Sequence, residues 1–342
     1  LPSSGWYYRL SHFFREKFGE KVYKIPLEAG FSCPNRDGTL SSTGCIYCYN
    51  PSFSPAAQQL QEENCRQQTI RQQIIAYQHR LEWKNAYRTP GKLSILKEKP
   101  FSSSESVGET ADFIPSRKYL AYFQTYSNTY APLSYLQEIY EEALNTTGIV
   151  GLSIATRPDC LGEEVLELLG RYAQNYHIWL ELGLQSAHDR TLQFINRGHD
   201  YHCFQEALLQ SSGRGLYTCA HIINGLPGES PADMLETVVK LNRLPLHGIK
   251  FHQLQVIKNT ALEKLYGEGN IEVLSWEEYL EIVCDQLELL KPDIVIHRLV
   301  GEVYRDELLL APRWNVFRGT FAQAVEKKLQ ERHSYQGKNA ST

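Results

Sequence analysis

Cys33, Cys45 and Cys48 bring three thiols into one loop of sixteen residues, directly after the strand-like run from Val22 to Ala29. Thiolates are soft ligands that select zinc, cuprous copper or iron–sulfur clusters. Pro34, Gly38 and Gly44 bend the loop, which argues against three Cys serving only as core filling. A structural zinc site is closed by a fourth ligand. The next Cys, Cys65, falls inside a helical pattern and no His follows within a few residues, so a zinc knuckle would need a distant His. Three thiols without a neighbouring fourth ligand fit a four-iron cluster with one iron left open, where a small substrate could bind and receive an electron.

Composition narrows the classes. The 342-residue chain has a formal net charge of −4, so no global positive field recruits nucleic acid and any such contact must be a local patch. No apolar run approaches a membrane span, and the start lacks the hydrophobic segment of a secretory signal. Eight Cys without such a signal point to a reducing, cytoplasmic compartment rather than a disulfide framework. Cys65, Cys160, Cys203, Cys219 and Cys284 lack ligand spacing and read as small core residues.

The elements that must position the Cys loop follow from periodicity. Trp6 to Phe18 reads as a short amphipathic helix. Gln58 to Arg88 is polar and helical, with Ile70, Ile74, Tyr77 and Leu81 on one buried face. Residues 89–118 hold Pro90, Gly91, Pro100, three consecutive Ser and Pro115 with few aliphatics, which predicts a disordered insertion. Apolar runs then recur at Tyr119–Phe123, Ile149–Ala155, Ile178–Leu184, Leu216–Ile223 and Ile249–Ile257. Helical patterns follow at Leu133–Leu144, Glu163–Tyr172, Ala187–Ile195 continuing through Tyr201–Ser212, Pro231–Arg243 and Trp276–Leu290. With the strand before Cys33 this makes six βα repeats around a buried parallel sheet. Ile294–Val300 offers a further strand, and Arg313 to the end reads as a helical tail. Periodicity alone leaves an open barrel and a doubly wound sheet as alternatives.

In parallel α/β folds chemistry sits at the carboxyl ends of the strands. The second run ends in Gln124-Thr125-Tyr126-Ser127-Asn128-Thr129, whose amides and hydroxyls could serve an ammonium group or, as a polar turn, cap the next helix through Asn128 or Thr129. The third ends in Thr156-Arg157-Pro158-Asp159, where Arg157 could pair with Asp159. The fourth carries Glu181-Leu182-Gly183-Leu184-Gln185-Ser186, followed by Asn196-Arg197-Gly198-His199; an ion pair between Glu181 and Arg197 is the structural alternative. Gly225 and Gly228 after the fifth run permit close backbone approach or a plain turn. His221 and His252 titrate near neutral pH and are candidates for proton handling, or hydrogen-bonded core residues like His297 beside Arg298. The tail from Arg313 to Lys338 is basic, with Trp314 and Phe317 interleaved, and reads equally as a phosphate patch or a solvated helix packed by Phe321, Val325 and Leu329.

The Cys loop resembles that of the radical S-adenosylmethionine (SAM) enzymes. The eleven residues between Cys33 and Cys45 make a longer gap than the commonest pattern, as in branches that include the catalytic subunit of elongator. The Thr-Arg-Pro-Asp and Glu-Leu-Gly-Leu-Gln-Ser … Asn-Arg-Gly-His segments resemble the same branch. Phe31 to Gly38 and Ala311-Pro312-Arg313-Trp314 resemble its YhcC/YtqA-type group. This resemblance implies an α/β fold, a partial (β/α)6 TIM-type barrel over residues 23–290, with a helical lead-in over 1–22 and a helical C-terminal extension over 291–342. It implies a [4Fe–4S] cluster on Cys33, Cys45 and Cys48, with SAM on the open iron. Tyr47 and Gly225 would lie near the adenine, Gln124, Thr125, Ser127 and Asn128 near the ammonium, Gln185 at the ribose and Arg197 at the carboxylate. Ala155 stands where relatives often carry a ribose-binding acid.

The implied activity is reductive cleavage of SAM and hydrogen abstraction from a substrate, with electrons from a donor such as flavodoxin or ferredoxin. The wobble-uridine side chain of tRNA is the substrate class that the group suggests. Alternatives are a small molecule or porphyrin, and a zinc-stabilised nucleic-acid-binding module without catalysis. No membrane partner is expected, and oligomeric state stays open.

Overall fold

The computed structural model describes residues 5–49, 52, 68–88, 115–314 and 318–340. Cys65, residues 89–114 and the first part of the helical pattern from Gln58 lie outside the described residues. Strands β1 (Val22–Leu27), β2 (Lys118–Phe123), β3 (Ile149–Thr156), β4 (His177–Gln185), β5 (Tyr217–Asn224) and β6 (Gly248–Gln253) form one parallel sheet. After a two-residue strand outside it, β7 (Val256–Ile257), β8 (Val295–Arg298) joins as the seventh member. Each strand pairs with the next in chain order. That order never reverses, so the barrel type of winding is present and the doubly wound sheet is not.

Two boundaries differ from expectation. Lys118, placed by composition in the insertion, opens β2. The run Ile249–Ile257 is not one strand: Leu254 and Gln255 interrupt it, and β7 pairs antiparallel with β9 (Leu309–Ala311). An apolar run shows burial, which a strand and the irregular chain after it can share.

Helices α1 (Leu10–Phe18), α2 (Ile70–Arg88), α3 (Leu133–Leu144), α4 (Glu163–Ala173), α5 (Asp189–Phe194), α6 (Tyr201–Ser211), α7 (Pro231–Leu241), α8 (Ala261–Gly267), α9 (Trp276–Leu289) and α10 (Arg318–Glu331) complete the chain. Local chemistry sets several starts. Ser230 with Asp233, and Ser275 with Glu278, form capping boxes that satisfy the free amides of α7 and α9. The helix expected to run from Ala187 through Ser212 is instead two, broken where Asn196 and Gly198 take positive φ angles of 52° and 76°. α10 buries Phe321, Val325 and Leu329 completely. Its Lys328 and the following Arg332 face acids of α9: Lys328 donates to Glu281 at 2.6 Å, and Arg332 to Asp285 at 2.7 Å and Glu288 at 3.1 Å. These two cations serve helix docking rather than an outward phosphate patch.

The sheet curls without closing. α1 packs on both β1 and β8, the two outer strands, and Ile296 donates its N–H to the Tyr8 carbonyl at 2.7 Å. Below, Val22, Leu120, Trp179, Cys219, Val295 and Phe14 form a separate apolar cluster that stops the lumen from beneath. Phe14, 2 % exposed, contributes about 2–3 kcal/mol by its burial alone. Side chains point inward at every second residue of a strand. The next layer up is therefore uniform in kind, and it is polar: Lys24, Tyr122, Ser153, Glu181, His221 and Lys250.

Candidate cofactor site at the strand ends

The loop after β1 folds back over the mouth of the lumen. Its turns are set locally: Arg36 and Asp37 N–H groups donate to the Cys33 carbonyl, and Cys48 N–H to that of Cys45. The segment between α5 and α6 clasps it from the side. Asn196 Nδ2 donates to the Gly44 carbonyl at 2.7 Å, Asn35 Nδ2 to the Asn196 carbonyl at 2.6 Å, and Ile46 N–H to the Ile195 carbonyl at 3.1 Å. The left-handed turn at Asn196, which splits the expected helix, is what brings these groups into reach.

Cys33, Cys45 and Cys48 all line one cavity and none is in a disulfide. Burial, then the neighbouring Cys45, pushes the Cys48 thiol up to about 11. Such a thiol stays protonated until a cationic centre displaces the proton. The spread of the sulfurs tests which centre fits. Among the described residues, the one three-donor group whose atoms lie within 4.8 Å of one another is His188, Asp233 and Glu236. The three Cys sulfurs are thus not all within 4.8 Å of one another, whereas ligands of a single tetrahedral zinc sit under about 4 Å apart at zinc–sulfur bonds near 2.3 Å. A preformed zinc knuckle on these three sulfurs is not present, and thiols spread beyond one ion's reach suit the wider ligand set of an iron–sulfur cluster.

Other sequence candidates reach the same cavity: Tyr47, Gln124, Thr125, Ser127, Gln185, Arg197, His221 and His252. Gln185 has a φ of 79° at a register slip between β4 and β5, a bulge that re-aims its side chain at the strand tip. Arg197 is committed to protein atoms, with Nε and Nη2 on the Gly183 carbonyl at 3.2 and 2.6 Å and Nη1 on Cys45 Sγ at 3.6 Å. The Thr125 hydroxyl donates to Glu28.

Two candidates do not reach it. Asn128 gives its N–H and side-chain amide to the Ala155 carbonyl, at 3.1 and 2.7 Å, and ties the tip of β2 to β3. Neither Asn128 nor Thr129 caps a helix: α3 starts from Pro132, and the Thr129 hydroxyl donates to the Cys160 carbonyl at 2.7 Å. Gly225 lies off the cavity wall, and a side chain there would meet Leu274 at 3.0 Å, so its close approach is to the core.

The arrangement least expected from sequence lies beneath. Glu181, fully buried, accepts from Lys24 at 2.5 Å and Ser153 at 2.6 Å on one oxygen. Its other oxygen accepts from Tyr122 at 3.1 Å and Lys250 at 2.9 Å, with His221 Nε2 at 2.8 Å. Its cationic partners are thus Lys24 and Lys250, and the ion pair with Arg197, the structural alternative, is absent. Burial acts to raise the Glu181 carboxyl, but Lys24 and Lys250 hold it well below the usual carboxylate range. Burial lowers Lys250 to about 7 against the pull of Glu181, and His221 to about 4. Lys24 and Lys250 in the middle of apolar runs were the available signal, because a charge inside a strand buried on both faces needs a partner. Arg157 pairs with Asp159 through two bonds of 2.8 Å, as its spacing suggested.

Gly183 has a stated structural duty here, since a Cβ would lie 2.6 Å from Arg197 Nη2 and 2.8 Å from Gln185 Nε2. Both atoms are tips of side chains that can swing away. Gly183→Ala is therefore expected to cost only about 1–3 kcal/mol of stability while displacing Arg197 from Cys45. Denaturant melting and iron content after anaerobic reconstitution check this: a modest loss of stability with a larger loss of iron is expected, and wild-type iron content would contradict it.

Residues 33–241 match the family model of the Radical SAM superfamily, and residues 246–331 that of the Radical SAM C-terminal domain. The chain is 37 % identical to the uncharacterized protein YtqA of Bacillus subtilis over 97 % of its own length and 92 % of that protein. It is 36 % identical to protein YhcC of Escherichia coli, covering 94 % and 91 %. Human Elongator complex protein 3 is 25 % identical over 52 % of this chain and 32 % of its own. Among solved structures, the elongator subunit Elp3 of the archaeon Methanocaldococcus infernus superposes with a TM-score of 0.59 at 15 % identity, covering 92 % of this chain and 64 % of that one, a likeness of fold.

Proposed function

We propose, because this chain belongs to the radical SAM superfamily, that Cys33, Cys45 and Cys48 hold its [4Fe–4S] cluster and that the wobble-uridine side chain of tRNA is its substrate. The family uses this cluster and SAM, and the pair supplies a 5′-deoxyadenosyl radical that abstracts hydrogen from a substrate carbon. The observation that carries the ligand assignment is the set of three free sulfurs facing one cavity, not all within 4.8 Å of one another and, among the described residues, with no fourth thiol on its wall.

The protein's own contribution is positioning, charge balance and exclusion of water. Asn35 and Asn196 fix the loop, so that the three sulfurs keep their spacing when ligand-free. Arg197 places a positive charge against Cys45 Sγ, with Nη1 at 3.6 Å. Tyr47 packs against the cluster of Leu192, Ile195, Leu226 and Leu254, giving the cavity an apolar wall on the side where an adenine would lie. Gln124, Thr125, Ser127 and Gln185 supply amide and hydroxyl groups around the remaining rim, and Gln185 is held there by its bulge.

The tRNA reading is supported by similarity to Elongator complex protein 3. Anaerobic reconstitution tests the first half of the proposal: a brown protein with about four irons per chain that forms 5′-deoxyadenosine on reduction is expected, and a colourless zinc protein would end it. Mass spectrometry of tRNA nucleosides from a strain lacking the gene tests the second. Loss of a side-chain-modified uridine is expected, whereas an unchanged profile would move the substrate to a small molecule.

A further inference from the structure

The polar layer of the lumen is not closed on itself. Where the sheet fails to join, between β1 and β8, a second opening runs sideways into the same space. It is lined by Arg9, Lys21, Lys24, Tyr122, Gln124, Lys250 and Arg298 among others, and it shares Tyr122, Gln124, Lys250 and Arg298 with the cofactor cavity. Arg298 reaches this shared wall through a defect in the sheet. Gly248, Ile249 and Lys250 pair with Val295, Ile296 and Arg298, so His297 is an extra residue. A bulge of this kind cancels the alternation of faces. His297 Nδ1 therefore faces Glu181 at 3.6 Å while Arg298 also faces the cavity, beside Lys250.

Charge in this layer is unbalanced. Lys24, Arg298 and Lys250, the last lowered by burial to about 7 and so only partly charged at neutral pH, face one buried carboxylate, that of Glu181, which Lys24 and Lys250 already share. Burial lowers His221 and His297 to about 4 and 3, so neither adds charge at neutral pH. Lys250 donates to Tyr122 at 2.6 Å and to Glu181 at 2.9 Å, leaving the third of its three donors. Arg298, half-buried, has no hydrogen bond or ion pair to any described residue, so its five donors stay available. The other carboxylate on the cavity wall, Glu302, is solvent-exposed. A guanidinium on the wall of two open cavities, without a carboxylate partner, is placed to receive an anion through its fork of donors.

The geometry points to Arg298, assisted by Lys250, as the anchor for an anionic group of the substrate, a carboxylate or a phosphate, placed at the side seam of the barrel beneath the cofactor. This deepens the proposed function and rests on it only for the word substrate, because the anion site itself is a property of the lumen.

The test uses reconstituted holoprotein and two probes, ¹³C-acetate and inorganic phosphate, with dissociation constants from ligand-observed NMR. Arg298→Gln is expected to weaken probe binding by about tenfold while iron content and melting temperature stay at wild-type values. Arg298→Lys should recover phosphate binding better than acetate binding, since an ammonium keeps the charge but loses the fork. Tighter wild-type binding of acetate identifies a carboxylate-bearing substrate, and tighter binding of phosphate a phosphate-bearing one. Lys250→Met is the second variant, expected to weaken both probes by a smaller factor. Equal probe affinity in wild type and Arg298→Gln, or no probe binding to wild type, overturns the proposal. Failure of the radical reading shows separately, as missing iron or missing 5′-deoxyadenosine in wild type, and leaves the probe comparison intact.

Discussion

Cys48→Ala should reduce reconstituted iron from about four per chain to a small remainder and bring 5′-deoxyadenosine formation to background, without unfolding the barrel. The reason for the split is that Cys48 sits on a loop above the lumen, bound to its surroundings mainly through backbone atoms, and belongs to no apolar core cluster. Its truncation removes one small side chain, at a cost of about 1 kcal/mol. Cys160→Ala is the matched control. Its thiol is buried close enough to the trio to feel Cys33, and burial pushes it up to about 12, yet it does not line the cavity. Wild-type iron in Cys160→Ala beside an iron-free Cys48→Ala is the expected pattern. Iron loss in both would mean that Cys160 is a ligand; retained 5′-deoxyadenosine production in Cys48→Ala would remove that residue from the site.

Glu181→Gln should destabilise the fold by about 3–5 kcal/mol, the range for removing one partner of a buried charge pair. Two ammonium groups share this carboxylate, and its loss leaves both without compensation in a layer closed below by Trp179 and Phe14. Combining it with Lys250→Met should restore part of the loss, because one of the stranded charges is then gone. Urea unfolding of the two single variants and the double variant measures the coupling, and simple additivity would contradict the shared-charge arrangement. The pH dependence follows from Lys250. Its folded value, about 7, lies below its unfolded value, so between these limits the unfolded chain binds more protons and stability rises with pH. Lys250→Met should lack that rise between about pH 7 and pH 10. Glu181 acts at the other end: its lowered folded value contributes stability that is fully present above the ordinary carboxylate range and is lost as pH falls from that range through the lowered folded value.

The three clustered thiols are legible in the sequence, and their surroundings are far less so. The Cys trio and the βα alternation are local or periodic patterns, and both are in the structure. The family resemblance implies Asn128 and Gly225 near the cofactor, and both do follow strands, but strand-end position is a necessary and not a sufficient condition for reaching the lumen. Asn128 turned to the Ala155 carbonyl, a partner 27 residues away that no local rule names.

The sequence by itself determined the three clustered thiols and the repeating units that hold them, because thiol chemistry and hydrophobic period are properties of residue type and spacing. Tertiary structure alone decided that the sheet winds in one direction and stays unjoined, and that Lys24, Glu181 and Lys250 from three separate strands meet in its lumen. It also decided that a single extra residue, His297, turns Arg298 inward. Those outcomes depend on register between strands far apart in the chain, and a one-residue slip there exchanges the inner and outer faces without changing the composition or period of either strand.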